Sequence, residues 1–176
     1  MNILKYFAVT VLSLNLVFSD ALCSEVPTIQ EPKWSYRSSD DPMSSKSIKF
    51  AEVPSENIVD FDFPYSGKQV GKLIIRQHPA HGTEVMFMIE KGQILCNSYA
   101  GCNVQVRFDE KKAEKWKALG PADHSNKVLF IQNEKAFVRK LLSSKTIRVQ
   151  VPFYQEGEPV FEFYVSGLKM EVEKKK

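Results

Sequence analysis

Residues 146–165 read TIRVQVPFYQEGEPVFEFYV. Apolar side chains fall at Ile147, Val149, Val151 and Phe153, and again at Phe161, Phe163 and Val165, with charged and amide residues between them. A period of two sends alternate side chains to opposite faces of an extended chain. The intervening QEGE, residues 155–158, supplies a turn, so the stretch predicts a β-hairpin with one apolar face.

The same period runs through most of the chain upstream. SIKFAEV (47–53) places Ile48 and Phe50 on one face and Lys49 on the other. VDFDF (59–63) alternates throughout, with Asp60 and Asp62 opposite Val59, Phe61 and Phe63. The turn PYSGKQ leads into VGKLIIR (70–76), and TEVMFMIE (83–90) is apolar on both faces, as a central strand would be. GQILC (92–96) and NVQVRFD (103–109) read as a hairpin, and KVLFIQ (127–132) as a further strand. About nine short strands with turn residues between them predict a mainly β fold, a single antiparallel β-sandwich or partly closed barrel. Two segments read instead as short helices. DEKKAEKWKAL (109–119) is stopped by Gly120-Pro121. NEKAFVRKLLSSK (133–145) has Asn133 placed to cap it and puts Phe137 and Leu141 on one face.

The N-terminus reads MNILKYFAVTVLSLNLVFSDALCSE, and Lys5 is its only charge before Asp20. An apolar stretch of this length followed by small residues at Ser19 and Ala21 predicts a signal peptide over residues 1–21. A membrane anchor needs about 20 predominantly apolar residues, and Ser13 and Asn15 interrupt a shorter run. Lipid modification at Cys23 is disfavoured by Leu22 and Asp20 just before it. The sequence therefore predicts a periplasmic or secreted protein with no stable span after cleavage. Its regions are a mostly irregular segment over 22–46 with a short strand at Trp34, a sandwich domain over 47–172 and a basic tail over 173–176. The formal charge is +3 with no strong basic stripe, which argues against nucleic acid as a partner.

In an oxidising compartment Cys96 and Cys102, in CNSYAGC, are predicted to pair. Asn97, Ser98 and Gly101 favour a turn. The spacing matches neither the paired Cys or His groups of a zinc ribbon nor a C-x-x-C redox motif.

Catalytic signals are sparse. His78 and His81 form H-x2-H in RQHPAHGTE, and with Glu84 they are the candidates for a metal-dependent hydrolase, with the distant His124 as a third ligand. Pro79 and Gly82 equally suit an exposed turn. Asp60 and Asp62 could serve as paired carboxylates for acid/base work on glycosides, but they also match the solvent face of an alternating strand. No G-x-S-x-G elbow and no glycine-rich phosphate loop occur. No cofactor is indicated. Trp34, Tyr65 and Tyr164 are candidates for a contact surface, with core packing the other role open to all three.

Trp34, Asp41 and Met43, in WSYRSSDDPMSSK, resemble a pattern near the mature N-terminus of small exported bacterial proteins, among them the VasI-like accessory proteins of type VI secretion. The layout of residues 64–96, a hairpin and then a strand leading into a cysteine, is similar too. The resemblance implies a small β-rich envelope protein with no catalytic residues to carry over. The function expected from sequence is therefore non-enzymatic, acting through contact with a protein partner in the cell envelope. The alternatives are the hydrolase and a carrier of a small apolar ligand.

Overall fold

The structure is a computed structural model that describes residue 31 and residues 33–170. The predicted signal peptide, Cys23 and the lysine tail lie outside the described residues.

Nine strands form one antiparallel sheet. They are β1 (Ser35–Asp40), β2 (Ser47–Pro54), β5 (Lys72–His78), β6 (Gly82–Met88), β7 (Cys102–Phe108), β8 (Glu114–Leu119), β9 (Val128–Ile131), β10 (Thr146–Gln150) and β11 (Val160–Tyr164). A small hairpin, β3 (Val59–Phe61) with β4 (Gly67–Gln69), is inserted between β2 and β5. The order across the large sheet is β1-β2-β5-β6-β9-β8-β7-β10-β11. The meander β7-β8-β9 thus folds back to pair β9 with β6, and β10 then adds to β7.

One face of this sheet buries a single apolar cluster to which every strand from β2 to β11 except β4 contributes. Its lower part is built of phenyl rings. Phe87 lies 4.9 Å from Phe161 and 6.4 Å from Phe153 between ring centroids, distances at which edge-to-face contact is favourable. Its upper part joins Phe108, Trp116 and Phe137, with Phe137 carried by the helix α1 (Glu134–Leu142). The hairpin read from residues 146–165 is present as β10 and β11, in the register Ile147↔Phe163 and Val149↔Phe161. TEVMFMIE forms the interior strand β6, with Val85 and Phe87 on the core face and Met86 buried on the other.

The sheet rolls far enough to bring β11 beside the end of β2, but no ladder joins β1 to β11, so the barrel stays open and sandwich-like. Asn57 occupies the gap. Its Nδ2 donates to the Val160 carbonyl and its Oδ1 accepts from the Glu162 N–H, both at 2.8 Å, while the Glu56 N–H donates to the Glu162 carbonyl. One side chain amide therefore stands in for a strand along an edge that would otherwise present unpaired backbone.

Four expectations are corrected. First, the helix expected over residues 109–119 is not formed: residues 114–119 make β8, where Trp116 and Ala118 are buried and Lys115 and Lys117 exposed. The alternation K-W-K-A satisfies the core from an extended chain, and this outweighs the helical preference of Glu, Lys and Ala. Second, Asn133 sits at the start of α1 but in a left-handed conformation, and its side chain makes no capping bond. Third, Ile48 and Phe50 share a face, but the core face of β2 is that of Ala51 and Val53. Phe50 lies under the guanidinium of Arg37 at 3.6 Å. Fourth, GQIL is no sheet strand; its one bridge is Ile94 to Phe153, so the disulfide closes a loop leading into β7 rather than the end of a hairpin.

Candidate functional site

Antiparallel pairing sends the segments 55–71, 89–101, 120–127 and 151–159 out of the same end of the sheet. They are tied to one another by backbone bonds. The Ile94 N–H donates to Asn126, Leu95 to Pro152, Tyr154 to Gln93, and Gly120 to Asn97. Side chains add to this: Glu156 accepts from the Asp62 N–H at 2.9 Å, and Tyr65 Oη donates to Gln93 at 3.3 Å. Satisfied backbone in connecting segments restrains local opening.

Cys96 and Cys102 are bonded, as the sequence predicts, with Cα atoms 4.9 Å apart. Inside the loop, Asn97 Oδ1 accepts from the N–H groups of Tyr99 at 2.7 Å and Ala100 at 3.1 Å. Gly101, at φ 71°, takes the left-handed turn that an L side chain resists. A Cβ on Gly120 would run into the Cys96 carbonyl oxygen, so the loop lies directly against the 120–127 segment. With its backbone fixed in this way, the loop holds Tyr99 out into solvent at 88 % exposure.

Beside the loop is an open cleft of about 500 Å³, lined among others by Gln93, Leu95, Ser98, Tyr99, Pro121 and His124. Ser98 Oγ and His124 Nδ1 are 3.3 Å apart across it, and the Tyr99 and His124 rings lie 6.4 Å apart. The backbone N–H groups of Tyr99 and Ala100 are committed to Asn97, and so do not supply an oxyanion hole beside this Ser–His contact.

The other sequence candidates are scattered. His78 and His81 come together, with ring centroids 4.5 Å apart, in the turn between β5 and β6 at the opposite end of the sheet. His78 Nδ1 accepts from the Ala80 N–H, and Glu84 is held by Arg76 in an ion pair at 2.5 Å. His124 lines the loop-end cleft, so it does not reach them. Among the described residues no group of three or more His, Cys, Asp or Glu is placed to hold a metal. Asp60 lies on β3 and Asp62 just past its end, both exposed. Trp34 belongs to the core rather than to a surface: it is buried, and its Nε1 donates to the Val165 carbonyl at 3.0 Å. Tyr65 and Tyr164 are half-buried, and of the two only Tyr65 belongs to the loop end. Away from this end, Asp41 closes its own turn. The Ser44 hydroxyl and the Met43 N–H that it accepts hold its carboxyl below the usual range.

Sequence reasoning passed over the residues that distinguish this end. Of the ten exposed large apolar side chains among the described residues, Ile58, Phe63, Val70, Leu95, Tyr99 and Tyr154 lie in the four linked segments. Phe63 is 84 % exposed. Tyr99 carried a readable signal. An aromatic in the middle of a short cysteine-closed loop of small polar residues has no core within reach.

No protein-family model, curated protein or solved structure matches this chain.

Proposed function

We propose that the protein is a non-enzymatic, exported binding module that contacts a protein partner in the cell envelope through its loop end. The observation that carries this reading is the gathering of exposed apolar side chains, Tyr99 and Phe63 foremost, on segments held rigid by cross-linked backbone and a disulfide. Exposed aromatics cost least to bury when little conformational freedom is lost on docking, and they dominate interface energetics. The leader sequence and the disulfide support the exported location. The likeness of Trp34, Asp41 and Met43 to secretion accessory proteins supports a partner within an envelope apparatus.

A photo-crosslinking residue at position 99, expressed in the native host, tests this. We expect a discrete protein adduct from position 99 and none from position 115, on the exposed side of β8. Equal adducts from both positions, or none from 99, refute it.

A further inference from the structure

The two ends of the sheet differ in charge. The four linked segments of the loop end contain seven carboxylates and three lysines. The turns at the other end, residues 41–46, 79–81, 109–113 and 132–145, contain seven Lys or Arg and four carboxylates. The acidic surplus of the loop end is largely uncompensated. Asp62, Glu90 and Glu158 are exposed, and none has a cation within ion-pair distance among the described residues. The exposed apolar side chains and the unpaired carboxylates thus share one end of the molecule.

Resting on the docking role proposed above, we infer that the loop end recognises a cationic protein surface: an apolar recess, for Tyr99 or Phe63, rimmed by Lys or Arg. Complementary charge steers encounter and rejects wrong partners, while the apolar contacts supply short-range binding. The same charge excludes two other occupants. An anionic lipid surface would be repelled by the carboxylates, although its interface could accept the aromatics. A second copy docked loop end to loop end would place like charges face to face.

The test uses the mature protein and a short amphipathic lysine–leucine peptide, with its glutamate–leucine counterpart and phosphatidylglycerol vesicles as comparisons. Binding is followed by amide chemical shifts. The lysine–leucine peptide is expected to shift the amides of Tyr99, Leu95 and Phe63. Its binding should weaken roughly tenfold or more from low salt to 1 M, where the Debye length falls to about 3 Å. The variant D62K/E90K/E158K alters three exposed side chains and should keep the parental urea midpoint while losing the peptide. Equal binding of the two peptides, binding to the vesicles, or shifts centred on β8 would overturn the inference. If position 99 still crosslinks to a protein in cells while the peptides are not distinguished, the docking end stands and its charge preference fails. If position 99 captures nothing, both fail.

Discussion

Removing the Cys96–Cys102 bond should cost the protein about 2.4 kcal/mol. The figure follows from closing a seven-residue loop in the unfolded chain, taking the chain-entropy relation at 25 °C. The folded structure argues against a much larger loss. Both cysteines are only half-buried, so serine at each position leaves no sealed cavity. The loop also keeps its other restraints: Asn97 still bonds the N–H groups of Tyr99 and Ala100, and its carbonyl still accepts from Gly101 and Gly120. At about 2–4 °C per kcal/mol for a chain of this size, the melting temperature should fall by about 5–10 °C. The measurement is urea denaturation of protein beginning at Ser24, which excludes Cys23, with and without reductant, alongside the double variant C96S/C102S. Reductant and double substitution should give the same midpoint, and reductant should do nothing further to the variant. Tyr99 crosslinking should weaken in parallel, because the loop that presents it gains freedom. Two free thiols in unreduced, denatured protein would refute the staple. A loss well under 1 kcal/mol would refute the unfolded-chain account of it.

Three further outcomes are expected. Asn57→Ala removes the side chain that satisfies Val160 and Glu162 on the free edge of β11, and should cost about 1–3 kcal/mol with faster hydrogen exchange at the Glu162 amide; unchanged exchange there would mean that water serves the edge equally well. Gly120→Ala forces a methyl against the Cys96 carbonyl and should cost about 1–3 kcal/mol in urea melts, and a neutral result would show that the loop can move away. The Asp109 carboxyl is held below its usual range, first by the Thr146 N–H and next by that of Lys145, against the opposing effect of burial. Its unfolded form binds a proton more readily, so its contribution is present above the unfolded value of about 3.9 and is lost as pH falls through the lower folded value. Asp109→Asn should flatten the acid limb of the stability–pH curve, and an unaltered limb would assign that dependence to other carboxylates.

The sequence by itself determined which segments run extended, because a period of two in Ile147, Val149, Phe161 and Phe163 is a local property that any extended chain with one buried face must show. It likewise pointed to the cysteine pairing: the predicted leader implies an oxidising compartment, and Cys96 and Cys102 flank a short run of turn residues far along the chain from Cys23. The tertiary structure decided what locality leaves open. EKWKAL has the composition of a helix, and it became β8 because Trp116 and Ala118 must reach the core between the neighbouring strands, Val104 opposite one and Ile131 opposite the other. Trp34 went inside because the end of β11 lay close enough for Val165 to accept its indole N–H. His78 and His124 ended far apart in the fold for the same reason that four loops from distant parts of the chain met: strand order sets which turns share an end. The rolled sheet is held by contacts between residues more than a hundred positions apart, Asn57 with Glu162 and Trp34 with Val165 among them. The energy of such contacts exists only once the sheet has rolled up, so no local pattern of side chains carries it.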